Sequence, residues 1–277
     1  MSALHGPRGF NLASSVPFIF GTLDAETIPG PILVELLTDA GHSLPSARAL
    51  LARLRAAGSL EAQRHGRVAA YRLSGAMLTG FNGVDHGPQP GNWDGRFHTV
   101  VFDIPESERP VKDHLRYLAQ NLGLGTIRPG VLISTDPARV DEGLEGVHTR
   151  GLLVRGTLEF DAATSREVAA LAWDLPQRVE SLRAAAHRVS AWARPGRIPA
   201  EPAIAFRSFH DNYLHSIGLR LTDPGLPPEL LPADWPAGEL DQALRRMMTA
   251  WNDAVTAHVE TLLLRSPHAW LVHRRER

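Results

Sequence analysis

The sequence predicts an α+β chain with an N-terminal winged helix-turn-helix, a central ferredoxin-like α+β domain and a C-terminal helical domain. Three observations predict it. Helical spacing up to residue 57 gives way to two short runs about a glycine-containing turn. A continuous β-branched run, Thr99-Val100-Val101-Phe102-Asp103-Ile104, is stopped by Pro105. The last third carries apolar residues at helical intervals. The chain's 277 residues, 43% apolar and 21% charged, suit two or three compact domains and exclude a wholly disordered chain. Turn-rich stretches, Gly80-Phe81-Asn82-Gly83 with His86 to Gly91, and Arg194 to Pro202, read as breaks. They divide the chain into residues 1–80, 81–160 and 161–277.

Pro17 opens a short helix through Leu23, because its fixed φ suits a first helical turn. Pro31 opens a second, Ile32 to Leu37, closed by Gly41. Ser43 is placed to cap a third, from Leu44 to Ala57, which Gly58 stops. The runs Ser59 to Gln63 and Val68 to Leu73 then flank a turn at Arg64-His65-Gly66-Arg67, giving a two-stranded wing.

The third helix carries the most information. Ala47, Leu50, Leu51 and Leu54 follow the i, i+3, i+4, i+7 rule and face a core. The opposite pole holds only small residues, Ala49, Ala52 and Ala56. Arg48 and Arg55 flank that pole on one side, Ser46 and Arg53 on the other. Such a slim ridge suits a major groove, with arginines reaching phosphates or base edges. From Ser43 to Leu73 the cations are Arg48, Arg53, Arg55, Arg64, Arg67 and Arg72, opposed only by Glu61. Ser46 and Arg48, nearest the helix start, are candidates for base edges. Arg53, Arg55, Arg64, Arg67 and Arg72 are candidates for phosphate, with His65 in the same wing turn. The alternative for these residues is a solvated amphipathic helix with incidental charge. The near-neutral net charge of −1 does not bear on this, since local charge decides nucleic-acid binding.

In the middle, Val111, Leu115, Leu118 and Leu122 mark a helix stopped by Gly123. Strands follow at Gly130 to Ser134 and near Leu152 to Val154. Further on, Thr164-Ser165-Arg166-Glu167 fits a capping box. Long helices are expected over Pro176 to Trp192 and Pro202 to Leu221. Leu240, Leu244, Met247, Trp251, Val255, His258 and Leu262 form a packing stripe on a final helix.

Several chemistries are excluded. Without cysteine there are no disulfides, thiolate metal sites or cysteine nucleophiles, which fits a reducing cytoplasm. No apolar stretch approaches the roughly 20 residues of a membrane span. Lys112 is the only lysine and no glycine precedes it, so a P-loop is impossible. Gly123-Leu124-Gly125 breaks from the dinucleotide fingerprint at Arg128, and Pro45 spoils a nucleophile elbow at Gly41-His42-Ser43. The histidines lack metal-ligand spacing and are expected to be exposed or locally bonded.

The three blocks resemble the PaaX family, named for the repressor of phenylacetate degradation. The likeness rests first on Arg48, Arg53-Leu54, Gly58, Arg64, Gly66-Arg67 and Tyr71-Arg72-Leu73. In the middle it rests on Trp93, Gly95, Phe102 to Glu106, Gly123-Leu124-Gly125 and Pro129-Gly130. The proline-studded run from Asp223 through Leu226, Leu230, Leu231 and Trp235 to Pro236 is similar to a family signature. The resemblance implies a homodimeric transcription regulator that binds double-stranded operator DNA, without cofactor or catalytic residue. In the family's best-known members an aryl-CoA thioester relieves repression, so an acyl-CoA effector is the expected ligand. Trp173, Trp192 and Arg207 have the chemistry to receive an aromatic acyl group and an anionic tail, but core packing of the tryptophans and a surface pair for the arginine explain them better, and no effector residue is assigned. Leu124 stands where the family often has phenylalanine.

The alternative reading comes from a different class. The run Val100 to Ile104 also resembles the first strand of the small metal-dependent nucleases of CRISPR adaptation, in which an aspartate placed like Asp103 can hold a divalent ion. Pro105 directly afterwards and a single carboxylate per subunit speak against it. A protein-interaction module with a winged helix that no longer reads DNA is the third reading, opposed by the arginine shoulders.

Overall fold

The computed structural model describes residues 12–83, 93–194 and 196–275. In chain order the elements are α1 (Ser15–Leu23), β1 (Ala25–Pro29), α2 (Gly30–Asp39), α3 (Leu44–Ala56), β2 (Leu60–His65), β3 (Val68–Leu73) and α4 (Gly75–Gly83). There follow β4 (Arg96–Asp103), α5 (Arg109–Asn121), β5 (Gly125–Arg128), β6 (Val131–Ser134), α6 (Pro137–Leu144) and β7 (Leu152–Glu159). The chain closes with α7 (Ala162–Ala172), α8 (Leu175–Trp192), α9 (Pro202–Leu221), α10 (Ala237–Arg265) and β8 (His273–Arg274). The result is a mixed α+β protein with two four-stranded antiparallel sheets.

Contacts group the elements into two units, each discontinuous in sequence. The first gathers α1 to α4, β1 to β3, the end of α8, α9, α10 and β8. The second holds β4 to β7, α5 to α7, the start of α8 and the segment 221–238. The C-terminal third therefore contributes to both.

In the first unit the sheet order is β2-β3-β1-β8. Its core is aromatic. Phe18 of α1 packs on Phe206 and Phe209 of α9, at centroid distances of 5.9 and 5.8 Å. Phe209 lies on Trp251 of α10, whose indole N–H donates to the carbonyl of Trp192 at 2.9 Å. Every residue of the α10 stripe read from sequence is buried. The stretch Gly80 to Gly83, read as linker, lies in α4 instead, and its ring Phe81 sits under the guanidinium of Arg275. Residues 86–91 lie outside the described residues.

In the second unit the sheet order is β5-β6-β4-β7. Strand alternation sends Val100, Phe102 and Leu132 to one face, against Leu115 of α5 and Val140 and Leu144 of α6. Phe97 and Ile133 go to the other, against Ala169, Ala172 and Trp173. Strand β5 and helix α6 carry too few periodic residues to be read from sequence. The capping box at Thr164 is corrected. Asp161 caps α7, its carboxylate accepting from the backbone N–H of Ala163 and Thr164 at 2.9 and 3.0 Å. An aspartate one turn earlier took the cap, and the Thr164 hydroxyl also donates to it.

The proline-studded segment is a strap across this unit. Prolines lack the N–H that a strand needs, so its carbonyls are served by side chains. Arg178 donates to the Thr222 carbonyl at 2.9 Å and Arg139 to the Pro224 carbonyl at 2.7 Å, while Arg183 pairs with Asp234. Leu226 and Leu230 are buried under it beside Trp173. Gly125 backs onto the same indole so closely that a Cβ there would lie 2.7 Å from the ring. Leu230→Ala should destabilise the protein by about 2–5 kcal/mol, and exposed Glu229→Ala by less than about 0.5 kcal/mol. Denaturant midpoints of the two variants check this.

Candidate nucleic-acid interface

The candidate surface is built by α2, α3 and the β2–β3 hairpin. Ser43 caps α3, its hydroxyl accepting from the Ser46 N–H at 3.3 Å. Gly58 ends the helix with φ +70°. Ala47, Leu50, Leu51 and Leu54 are buried, as their spacing requires. Arg48, Ala49, Ala52, Arg53, Arg55 and Ala56 are exposed, and Ser46 is half-buried. The hairpin is in register from Leu60↔Leu73 to His65↔Val68. That leaves a two-residue turn, Gly66-Arg67, in which Gly66 takes φ +63°.

A groove of about 640 Å³ runs between α2, α3 and β3. Arg48 and Arg55 enter it from α3 and Arg67 from the turn, over a floor that includes Val34, Leu51 and Tyr71. Two carboxylates, Glu35 and Asp39, share its wall on α2. Both are already engaged from α10. Glu35 pairs with Arg265, and the imidazole of buried His258 donates to Asp39 at 2.8 Å. Among the described residues, none of Arg48, Arg53, Arg55, Arg64 and Arg67 has an ion-pair partner.

The other expected residues fall elsewhere. Ser46 and Arg53 lie outside the groove, on the opposite shoulder of α3. Arg64 is exposed on β2. Arg72 is already paired with Glu26 of β1. His65 meets the edge of Trp270, centroids 6.3 Å apart. Asp103 is exposed at the end of β4, and among the described residues no group of three or more His, Asp or Glu is placed to hold a metal ion. Trp173 is core of the second unit and Trp192 packs on Trp251. Arg207 is exposed.

Sequence reasoning missed a buried polar pin just before α3. The histidines were expected exposed or locally bonded, yet His42 and His210 are buried and both reach Ser15. His210 donates from Nδ1 to Asp211 at 2.9 Å, so its neutral ring presents a lone pair at Nε2. The Ser15 hydroxyl donates there at 2.9 Å and accepts from His42 Nε2–H at 3.0 Å. His42 Nδ1 is then an unprotonated nitrogen buried without a partner. In this arrangement both imidazoles are neutral. Burial above all pushes both pKa values below the ordinary 6.5, and for His42 the neighbouring His210 adds to it. Below pH 6.5 the unfolded chain then binds more protons than the folded one, so stability is lost as pH falls through that value. Thermal transitions between about pH 7.5 and 5.5 should fall with acid, and His210→Gln should flatten that dependence.

These features define an α+β protein that presents an outward cationic helix and hairpin. The family model described as PaaX-like protein matches residues 22–77, and that described as PaaX protein central Cas2-like domain matches residues 90–152. These two matches support a PaaX family protein. Membership points to a transcriptional regulator of the PaaX type, and the family is in general regulatory rather than enzymatic. A solved structure, that of the uncharacterized protein Rv0674 from Mycobacterium tuberculosis, is 28% identical over 82% of this chain and 89% of that one, with a TM-score of 0.53. No curated protein matches the sequence. No helix among the described residues is long and apolar enough to cross a membrane.

Proposed function

We propose that the chain is a homodimeric, DNA-binding transcriptional repressor, with α2, α3 and the β2–β3 hairpin acting as a winged helix-turn-helix. One observation carries this reading. Three guanidinium groups with no carboxylate partner among the described residues, Arg48, Arg55 and Arg67, line a single groove that Ala52 of the outward alanine crest also borders. An α-helix with side chains is about 10–12 Å across and the B-DNA major groove about 12 Å wide, so a crest of Ala49, Ala52 and Ala56 permits deep seating. The groove alongside then follows the sugar–phosphate backbone of one strand. Arg48, read from sequence as a base-edge candidate, shares that groove and fits a phosphate. Ser46 and Arg53, on the other shoulder, fit base edges. Arg72 is neutralised by Glu26 and contributes less.

The order β5-β6-β4-β7 with two intervening helices supports a ferredoxin-like plan for the second unit. A dimer would read two related half-sites separated by whole helical turns. An effector such as an aryl-CoA thioester relieves repression only if it binds one dimer geometry better than the other.

Arg67→Ala should weaken binding to every duplex and lower the slope of log affinity against log salt by about one. Arg72→Ala should lower it by distinctly less. Titrations with the region upstream of the chain's own gene at several salt concentrations measure both, and an unchanged slope for Arg67→Ala would remove it from the phosphate set. A rise in the thermal transition with acyl-CoA esters tests effector control.

A further inference from the structure

The segment after α10 was not singled out by sequence, yet it ends at the wing. Leu271 is buried and fixes a tight turn closed by Leu271 N–H to His268 O and Val272 N–H to Ala269 O, both at 3.0 Å. Beyond it β8 adds to β1, pairing His273 with Thr27 and Arg274 with Ala25. The residue carried by this anchored turn is Trp270, which stays 71% exposed with its indole edge-on to His65. Alternation along the hairpin puts His65 on the face opposite Tyr71. The indole therefore stands behind the wing, while Arg67 faces the groove in front.

A hairpin's strands are about 4.8 Å apart and the B-DNA minor groove is about 6 Å wide. Only the turn enters such a groove, and its two sides then meet two different strands. We propose that Trp270 is a second, uncharged DNA-contacting residue, its indole lying on the deoxyribose rim of the strand opposite the one held by Arg48, Arg55 and Arg67. The inference rests on the DNA-binding reading above. The cationic turn, Arg64 and Arg67 on either side of His65-Gly66, supplies the charge complementarity that selects a polyanion as the occupant. The contact is with sugar, so it carries no base preference and releases no counterion.

That last property separates the proposal from a bracing role. Affinity for a mixed-sequence duplex is measured against salt for wild type, Trp270→Ala, Trp270→Phe and Arg67→Ala, each checked for an unchanged thermal transition. Trp270→Ala should weaken binding about fivefold, the scale of a buried aromatic contact, at an unchanged salt slope, with Trp270→Phe recovering most of the loss. If the indole only braces the wing, its removal loosens the turn, and the slope falls as it does in Arg67→Ala. That result, or an affinity that Trp270→Ala leaves unaltered, overturns the proposal while the DNA-binding reading stands. A wild-type protein that binds no duplex overturns both.

Discussion

The placement of α3 depends on how α2 and the turn after it are gripped by α9 and α10. His258 holds Asp39, Arg265 holds Glu35, and Ser15 joins His42 to His210. The exposed Glu35–Arg265 pair contributes about 0–1 kcal/mol. The buried groups matter more, because breaking one leaves a desolvated polar atom at about 1–3 kcal/mol. These contacts also set the electrostatics of the surface. With Glu35 and Asp39 of α2 engaged by α10, Arg48, Arg53, Arg55, Arg64 and Arg67 have no ion-pair partner among the described residues. The distant helices thus determine both where the cationic ridge lies and how much positive charge it shows.

The second unit is organised by a different constraint. A run crowded with proline cannot join a sheet, so its carbonyls take guanidinium donors and its leucines fill the space beside Trp173. The same indole donates to the Gly123 carbonyl at 2.8 Å and leaves no room for a side chain at Gly125. Two motifs far apart in sequence are therefore two sides of one packing arrangement. The sequence pattern that looked least like ordinary structure has a structural cause.

Much was legible where a single element decides its own fate. The α3 spacing, its Ser43 cap and its Gly58 stop follow from local rules, as do the hairpin about Gly66 and the limits of α9. What depends on distant partners was not legible. Strand β1 is five residues long and alternates poorly, and only pairing with β3 and β8 makes it a strand. Arg72 looked as free as Arg67 until β1 brought Glu26 beside it. The buried histidines carried one faint signal, since His258 sits within an apolar stripe where a polar residue needs a partner. Nothing in the neighbourhood of Ser15 announced two imidazoles. Trp270 lay in a stretch too short for periodicity to speak.

The pairing of β8 with β1 has a temporal consequence. During synthesis β1 leaves the ribosome early, while its outer neighbour is made only after nearly the whole described chain. Until then one flank of the nascent sheet has bare N–H and C=O groups, open to adventitious pairing with other chains. Closing so long a loop is also slow, because the contacts that reward it come last. A half-made polypeptide therefore carries an unfinished sheet, and β8, the last strand of the described residues, serves as the latch that completes it.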